Sequence, residues 1–352
     1  MASGYQLIQL AGTATERGIA YGTQAKAQID HTLSFYRSMF QTYGVTWDRA
    51  KAVAQDFVPI IEDYYAEGLE EMQGIACGAG VGFEDILALN CRSEILFALP
   101  DGCSCVGVLP ERTSNGHTLL GQTWDWLAPA RDSTVILEVS QAGFPKILMV
   151  AEAGIIGGKG LNDCGIGVCL NATSVGHGGI GVPLHIMYRQ VLNSDIISNA
   201  LDKVAQPKRA GSGTFNIGSS DGFLMSVEFT PDNFDVLMST DTPLIHTNHY
   251  LSPLFRGQDI FKRDLTDTFV RLNRLKRLSA TQQVPYTTDT LFSFFADHAN
   301  YPDSVCSHED PKDAPGKALS TVYAIAMDLN EHRLLITDGS PCEGKIHNFA
   351  LA

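Results

Sequence analysis

The stretch PDGCSCV, residues 100–106, divides the chain into two parts whose secondary-structure signals differ. In the first part, apolar residues recur at the spacing of amphipathic helices. Pro100, Asp101 and Gly102 are turn formers that stop the last of these helices. After Cys103 the segments become short, apolar and rich in β-branched residues, as strands are. The helices predicted before this stretch span residues 29–43, 47–76 and 83–99.

The part after Cys103 alternates groups of predicted strands with pairs of predicted helices. Such a pattern favours two β-sheets layered between helices, which is an α+β architecture. We therefore predict a helical segment over residues 1–102 and a strand-rich part over residues 103–352. The predicted strands span residues 106–109, 118–126, 134–139, 147–150, 165–170, 213–217, 224–229, 234–238, 244–247, 321–329 and 333–337, and the predicted helices span residues 182–192, 194–204, 260–278 and 288–299.

The composition is that of a globular protein and argues against several classes of function. The chain has 352 residues, of which 44% are hydrophobic and 18% are charged, so it can bury a sizeable core. Its net charge of −14 has the wrong sign for a phosphate backbone, so we expect no nucleic-acid partner. No apolar run is long enough to span a membrane and no basic, apolar leader opens the sequence, so we expect no membrane partner and a cytoplasmic location.

Eight cysteines are spread along the chain, and in a cytoplasmic protein they are expected to be reduced. None belongs to a C-x-x-C pair, and Cys103 and Cys105 are too close together for the usual spacing of zinc ligands. His246 and His249 lack a third ligand nearby and are interpreted as polar loop residues. We therefore expect no metal ion and no bound cofactor.

Three patterns resemble functional motifs but have simpler interpretations. Residues 218–222 (GSSDG) match G-x-S-x-G, but a predicted strand follows where a nucleophile elbow needs a helix, so we predict a hairpin turn. Residues 154–160 (GIIGGKG) are one residue short of a phosphate loop and lack its final Ser or Thr, so we predict a glycine-rich turn between strands. The basic residues within 271–277 are predicted to form a solvated helix face.

Gly102 and Cys103 form a candidate self-cleavage site. Glycine leaves its carbonyl carbon open, so the Cys103 thiol could attack the Gly102 carbonyl and shift the acyl group from nitrogen to sulfur. Water would then release a new N-terminus at Cys103. Taken alone, a Gly-Cys step in a loop usually has no function, because a lone cysteine motif does not transfer between families.

Three segments taken together, residues 101–103 (DGC), 121–125 (GQTWD) and 246–249 (HTNH), resemble the isopenicillin N acyltransferase family. This peptidase C45-like family belongs to the N-terminal-nucleophile hydrolase superfamily. The resemblance implies a four-layer αββα fold with a helical N-terminal segment, made as a precursor that cuts itself into residues 1–102 and 103–352. The other segments that resemble the family are residues 16–22 (ERGIAYG), 71–76 (EMQGIA), 152–157 (EAGIIG), 181–185 (GVPLH) and 300–306 (NYPDSVC).

The resemblance assigns roles to three residues. Cys103 is similar to the family's processed nucleophile, and its own freed α-amine, with an ordinary pKa of about 7.7–8.0, would be the general base. Asp125 resembles the aspartate of the family's W-D step, where a carboxylate can orient the α-ammonium. Asn248 matches the asparagine of the family's T-N-H step, whose side-chain NH₂ would donate to the oxyanion.

The sequence departs from the family's pattern at one position that bears on its chemistry. The penicillin enzyme has a catalytic arginine shortly before the penultimate strand, whereas residues 316–321 (GKALST) contain no arginine. Lys317 lies there instead, but an ammonium cannot replace the planar fork of a guanidinium. The departure bears on β-lactam chemistry more than on self-cleavage.

We therefore expect an N-acyltransferase that moves an acyl group from a thioester such as acyl-CoA, or from an amide, to an amine through an S-acyl Cys103 intermediate. Its partners would be a small-molecule acyl donor, an amine acceptor and its own cleaved N-terminal fragment, with acyl-CoA as a co-substrate rather than a cofactor. Two alternatives stay open. With water as the acceptor the chain would be an amidohydrolase, and without self-cleavage it would be a non-catalytic relative that acts as a binding module.

Overall fold

The computed structural model describes residues 4–96, 102–314 and 318–351. Three sequence predictions lie outside these ranges: the turn at Pro100 and Asp101, the last residues of the helix predicted over 83–99, and the position of Lys317. Among the described residues, none of the helices is both long and apolar enough to cross a lipid bilayer.

The N-terminal part is mostly helical, as predicted. Thr13 starts its first helix with a capping box, because its hydroxyl accepts from the Glu16 backbone N–H and the Glu16 carboxylate accepts from the Thr13 N–H. The helix predicted over 47–76 is two helices that meet at Asp56 and Phe57, and Gly80, in the left-handed region at φ 72°, ends the second. The helices are α1 (Ala14–Gln24), α2 (Lys26–Thr42), α3 (Trp47–Gln55), α4 (Val58–Ala79), α5 (Phe83–Asn90) and α6 (Arg92–Ile95).

The strands form two sheets, and most of them lie where the sequence predicts them. They are β1 (Leu7–Leu10), β2 (Gly102–Val108), β3 (Leu119–Trp126), β4 (Thr134–Val139), β5 (Ile147–Glu152), β6 (Lys159–Asn162), β7 (Ile166–Asn171), β8 (Gly213–Ser219), β9 (Phe223–Phe229), β10 (Phe234–Met238), β11 (Leu244–His246), β12 (Ser320–Asp328), β13 (Arg333–Thr337) and β14 (Ile346–Ala350).

The larger sheet has eight strands in the order β1-β4-β5-β6-β7-β8-β9-β10. Its edge strand β1 comes from the N-terminal part and pairs with β4 in parallel, with Leu7 opposite Ile136. The part before Cys103 is therefore not purely helical, because it contributes one strand to this sheet. The prediction for 154–160 is wrong at its end, since Lys159 and Gly160 belong to β6.

The smaller sheet has six strands in the order β11-β2-β3-β12-β13-β14. Strands β2 and β3 run antiparallel, which sets Gly102 opposite Asp125 and Cys103 opposite Trp124. Cys103 was predicted to precede the first strand, but it is the second residue of β2. The predicted final hairpin of β12 and β13 is present, and β14 extends it at the sheet edge.

The remaining helices pack on the outer faces of the sheets. Helices α10 and α11 cover the smaller sheet, where Leu275 and Phe295 share a buried cluster with Val106. The helix predicted over 260–278 is interrupted, because Leu265 leaves helical geometry at φ −128° and ψ 67°. These helices are α7 (Leu184–Leu192), α8 (Ile197–Ala205), α9 (Phe261–Asp264), α10 (Asp267–Thr281) and α11 (Thr288–Phe295).

The two sheets face each other across the main core, which confirms the α+β, four-layer αββα fold with its helical N-terminal segment. Leu170 of the larger sheet donates its backbone N–H to the side chain of Gln122 in the smaller sheet, at 3.0 Å. The Lys159 ammonium lies 4.7 Å from the ring centroid of Trp124. Cys103, the cross-strand neighbour of Trp124, is therefore held at the interface between the sheets.

Candidate active site

Side chains from three other elements fix the backbone of Cys103, which is only 1% exposed. Its N–H donates to Asn248 Oδ1 at 2.8 Å. Its carbonyl oxygen accepts from Asn171 Nδ2 at 3.0 Å and from Arg271 Nη1 at 2.9 Å. Both polar backbone groups of the candidate nucleophile are thus held by buried hydrogen bonds, in a strand that pairs on both sides.

Asn248 lies just beyond the end of β11, and both the oxygen and the nitrogen of its side-chain amide form hydrogen bonds. Its Oδ1 accepts from the Cys103 N–H and also from Arg271 Nη2 at 3.0 Å, while its Nδ2 donates to the Ala172 carbonyl at 3.1 Å. The Asn248 backbone N–H donates to Thr268 Oγ1 at 2.7 Å. The structure therefore places Asn248, predicted from the sequence as a site residue, in contact with Cys103.

The histidines on either side of Asn248 support the loop rather than the chemistry. His246 is buried with Nε2 2.8 Å from Glu228 Oε1. Burial, with further contributions from the charges of His246 and Arg271, lowers the pKa of His249 to about 4, so it is neutral at neutral pH. Nδ1 of this neutral His249 ring lies 2.9 Å from Thr268 Oγ1, within hydrogen-bonding distance.

Asp125 lies opposite Gly102 through the pairing of β2 with β3. Its Oδ1 accepts from Thr321 Oγ1 at 2.6 Å, and Thr321 Oγ1 in turn accepts from the Ser307 N–H at 2.8 Å. A Cβ atom on Gly102 would lie 2.8 Å from both Asp125 Cβ and Asp125 Oδ2. Only glycine fits opposite Asp125, so the glycine before Cys103 is required by close approach and not only by its flexibility.

Arg271 also belongs to this site, which corrects the predicted solvated face at this residue, whereas Lys276 and Arg277 are exposed as predicted. The Arg271 side chain is 2% exposed and reaches Cys103 O, Asn248 Oδ1 and, at 3.1 Å, Ser104 Oγ. A signal for this placement exists in the sequence. Helix α10 buries Thr268, Arg271, Leu272, Leu275 and Ser279, and this spacing puts Arg271 on the apolar side of the helix.

The charge on Arg271 is retained in spite of its burial. Its Nε donates to Asp267 Oδ2 at 2.6 Å, one helical turn earlier. Burial alone would lower the pKa of Arg271, but Asp267 and Asp125 outweigh that effect and raise it. A fixed guanidinium therefore lies beside the backbone of Cys103.

A cavity of about 1100 Å³, a volume that includes open solvent, lies between the sheets and reaches Trp124, the cross-strand neighbour of Cys103. Trp124 and Tyr323, aligned with Cys103 across β2, β3 and β12, form one wall. Among the described residues, several buried polar atoms of this cavity make no hydrogen bond. They are Glu94 Oε2, Trp126 Nε1, His185 Nε2, Tyr188 OH and Ser212 Oγ.

Glu94 has the most perturbed carboxyl group of the cavity. Burial raises its pKa to about 7, while the Leu184 N–H, which donates to Glu94 Oε1 at 2.8 Å, acts in the opposite direction. His185 is buried as well, and this lowers its pKa well below the usual range. At neutral pH the cavity therefore offers a neutral imidazole and a carboxyl group near its titration point.

The serine motif has no catalytic setting. Residues 218 and 219 end β8 and residues 220–222 form the turn to the antiparallel strand β9, which confirms the predicted hairpin. No helix follows Ser220, so a nucleophile elbow is absent from this described segment.

Comparison with known proteins identifies related sequences. The family model for acyl-coenzyme A:6-aminopenicillanic acid acyl-transferase matches residues 112–342, about two thirds of the chain. The 40 kDa form of acyl-coenzyme A:6-aminopenicillanic-acid-acyltransferase from Emericella nidulans is 29% identical over 339 residues, which cover 94% of this chain and 91% of that protein. Protein dcd1A from Dictyostelium discoideum is 26% identical over 254 residues, which cover 61% of this chain and 56% of that protein.

Solved structures with similar folds have much lower sequence identity. The mutant C2A conjugated bile acid hydrolase from Clostridium perfringens gives a TM-score of 0.49 at 9% identity and covers 71% of this chain and 97% of that chain. The N-acylethanolamine-hydrolyzing acid amidase ortholog from Caenorhabditis elegans gives a TM-score of 0.44 at 14% identity and covers 71% of this chain and 100% of that chain. Because these scores are low, the assignment rests on the sequence match: the chain belongs to the acyl-coenzyme A:6-aminopenicillanic acid acyl-transferase family.

Proposed function

We propose that this chain cuts its own Gly102–Cys103 bond and then transfers acyl groups from a thioester to an amine through an S-acyl Cys103 intermediate. The observation that carries the proposal is the arrangement around Cys103. Asn248 and Arg271 hold its backbone on one side, and Asp125 approaches the preceding glycine on the other. Family membership supports acyl chemistry at this site.

The cleavage step would convert one peptide bond into two new termini. Cys103 Sγ attacks the Gly102 carbonyl carbon, the C–N bond breaks, and the released nitrogen takes up the proton from the thiol. Water then hydrolyses the thioester, which frees the thiol and leaves a carboxylate on Gly102. The close contact of Gly102 with Asp125 supports this proposal, since a carboxylate there can stabilise the α-ammonium as it forms.

In the cut enzyme, the α-amine of Cys103 would take the proton from the thiol and later give it to the leaving group. Asn248 Oδ1 already accepts from this nitrogen at 2.8 Å, so the same contact would orient the freed amine. Asn248 Nδ2 would donate to the oxyanion of the acyl group under attack. Arg271 would position Asn248 and the strand rather than contact the substrate.

The cavity beside Trp124 is the proposed acyl site. Its unpaired polar atoms, among them Tyr188 OH and His185 Nε2, would be satisfied by an acyl group that carries hydrogen-bonding atoms of its own. A site built in this way discriminates strongly against acyl groups that lack those atoms, because its buried polar groups would then stay unpaired.

Acyl loading tests the proposed function. The cut enzyme is mixed with a panel of acyl-CoA thioesters, and intact mass spectrometry measures acyl addition to the larger fragment. We expect the larger fragments of wild type and Cys105→Ala to gain an acyl group, and the uncut Cys103→Ala chain to stay unmodified. Amines are then titrated, and amide product is scored against free acid.

The alternatives predict different products. If no amine competes with water while simple amides are cleaved, the chain is an amidohydrolase. If the chain neither cuts itself nor loads an acyl group from any donor class, it acts as a binding module and the proposal fails.

Asn248→Ala gives a second, sharper test of the proposed roles. Loss of the oxyanion donor should lower kcat by about 100–1000-fold. Asn248→Asp keeps the oxygen that accepts from the Cys103 nitrogen but lacks the NH₂ donor. This variant should therefore lose turnover while keeping the hydrogen bond to β2. Unchanged kcat in Asn248→Ala, measured by the release of free CoA, would place the oxyanion site elsewhere.

A further inference from the structure

A cluster of four metal-binding side chains lies near the smaller sheet and is not used by the proposed chemistry. His298, Cys306 and His308 belong to the segment that follows α11, and Cys342 belongs to the turn between β13 and β14. One ligand atom from each of the four lies within 4.8 Å of every other. Two chain segments that are far apart in sequence therefore bring two imidazoles and two thiols together.

The four side chains converge on one point rather than forming separate hydrogen bonds. His308 Nε2 lies 3.1 Å from His298 Nε2, 3.5 Å from Cys306 Sγ and 3.6 Å from Cys342 Sγ. A ring nitrogen carries either one proton or one lone pair, so it cannot form three hydrogen bonds at once. Nitrogen and sulfur lone pairs around a common centre are the arrangement that a cation requires.

These separations fit a tetrahedral zinc site. Zn–N bonds of about 2.0–2.1 Å and Zn–S bonds of about 2.3 Å at tetrahedral angles place neighbouring ligand atoms about 3.3–3.8 Å apart. The two nitrogen–sulfur distances, 3.5 and 3.6 Å, fall within that range, and the nitrogen–nitrogen distance of 3.1 Å is about 0.2 Å below it. We propose that His298, Cys306, His308 and Cys342 together bind one Zn²⁺ ion as a structural site.

The ligand set decides which metal binds and what it does. Thiolate and imidazole ligands select Zn²⁺ over Mg²⁺ and Ca²⁺, which prefer oxygen. On binding, each thiol releases its proton to solvent, and the two thiolates neutralise the charge of the ion. Four protein ligands complete the coordination and leave no position for water or substrate, which is the pattern of structural zinc.

The ion would connect the end of the chain to the active site. Ser307, next to Cys306, donates its N–H to Thr321 Oγ1 at 2.8 Å, and Thr321 donates to Asp125 Oδ1 at 2.6 Å. Fixing Cys306 to Cys342 through the metal therefore fixes the backbone that orients Asp125. The zinc ion acts as a positioning element and takes no part in the chemistry at Cys103.

Metal content of the full-length protein tests this proposal. The chain is purified under reducing conditions, stripped with a chelator and titrated with Co²⁺, whose tetrahedral thiolate complexes absorb strongly in the visible region. We expect about one Co²⁺ per chain, displaced by an equal amount of Zn²⁺. Elemental analysis of protein that was never stripped should find about one Zn²⁺ per chain.

Matched variants make the outcome specific. His298→Gln alters an exposed ligand and Cys342→Ser a half-exposed one, so both should fold and should weaken metal binding by more than the roughly 10–100-fold cost of an outer-shell change. Cys164 and His177 are exposed and lie outside the cluster. The control variants Cys164→Ser and His177→Gln should therefore bind Co²⁺ and Zn²⁺ as wild type does.

Two results would overturn the proposal. One is the absence of stoichiometric Co²⁺ or Zn²⁺ binding by folded wild-type protein. The other is a Cys306–Cys342 disulfide that persists in protein purified under reducing conditions, seen as a mass lower by two hydrogens, because the thiols would then form a redox pair rather than a metal site.

Discussion

The residues around Cys103 form one hydrogen-bonded network. Arg271, which sequence analysis did not place in the site, connects its members. Its guanidinium donates to Asn248 Oδ1 at 3.0 Å, and the same oxygen accepts from the Cys103 nitrogen at 2.8 Å. A fixed positive charge this close to an amine disfavours the ammonium form and lowers its pKa. Arg271 should therefore help to keep the proposed α-amine base unprotonated at neutral pH.

Replacing Arg271 with glutamine should change the pH dependence of the reaction. We expect Arg271→Gln to move the acid limb of the kcat/KM profile upward by about one pH unit, because the α-amine regains its proton more easily. Arg274→Gln is the matched control, since Arg274 lies one turn later and pairs with Asp297 instead. A profile for Arg271→Gln that overlays wild type would remove Arg271 from the electrostatics of the site.

Glu94 should impose its own pH dependence on stability. Its pKa is raised by burial from 4.5 to about 7, so the folded state binds this proton more tightly than the unfolded state does. The stabilisation is complete below the unfolded pKa and is lost as pH rises through about 7. The side chain in Glu94→Gln resembles the protonated carboxyl group. As the pH rises from about 5 to about 8, the free energy of unfolding of this variant should therefore fall by a few kcal/mol less than that of wild type.

Urea unfolding at a series of pH values measures this difference. The exposed carboxylate Glu84 serves as the control, and Glu84→Gln should follow the wild-type curve. Parallel curves for Glu94→Gln and wild type would mean that Glu94 titrates normally.

Much of the candidate site could be predicted from sequence, but only through resemblance to a family. Cys103, Asp125 and Asn248 are distant in sequence, and no spacing rule predicts that Asp125 pairs with Gly102, the residue before Cys103, or that the Asn248 amide reaches the Cys103 N–H. Arg271 was missed because residues 271–277 were treated as one basic run, whereas helical periodicity separates Arg271 from Arg274 and Lys276. The four proposed zinc ligands were missed because Cys342 joins the other three only through the turn after β13.

At the scale of elements, the crossing of α1 and α4 determines how the N-terminal helices pack. A Cβ atom on Gly18 would lie 2.2 Å from the Glu71 carbonyl oxygen, so the two helices approach closely through glycine. Glu71 is buried between two cations: Arg17 Nη2 and Arg189 Nη2 each lie 3.0 Å from Glu71 Oε2. Since Arg189 belongs to α7, this carboxylate joins the N-terminal helices to the strand-rich part.

Removing that carboxylate should destabilise the protein strongly. Glu71→Ala removes the buried carboxylate that two buried guanidinium groups share, and we expect a loss of about 3–5 kcal/mol in the free energy of unfolding. Glu70→Ala, one residue earlier and exposed, should change it by less than about 0.5 kcal/mol. Equal stability of the two variants in urea unfolding would show that the buried pairs contribute little.

Sequence analysis missed three strands, each for its own physical reason. Strand β1 has four residues and gains its stability from parallel pairing with β4, a partner more than a hundred residues away. Strand β6 lies in a glycine-rich stretch with few β-forming side chains. Strand β14 is a sheet edge with alternating exposure, so its sequence IHNFA lacks an apolar run.

At the scale of the whole molecule, the proposed cut lies inside the fold and not between two separable units. Strand β1 would stay in the sheet as an edge contributed by the smaller fragment, and Arg17 and Glu71 would remain packed against α7. We therefore expect the two fragments to co-purify through gel filtration in the absence of denaturant. Separation of intact, folded fragments under these conditions would contradict the shared core.

The most direct measurement for the central claim is the intact mass and N-terminal sequence of the purified protein. Wild type expressed in a heterologous host should give two chains, the larger beginning Cys103-Ser104-Cys105. Cys103→Ala should remain one chain of 352 residues. Cys105→Ala, altered two positions later on the same buried strand, should still be cut. Wild-type protein that is folded yet keeps an unbroken Gly102–Cys103 bond would contradict the account.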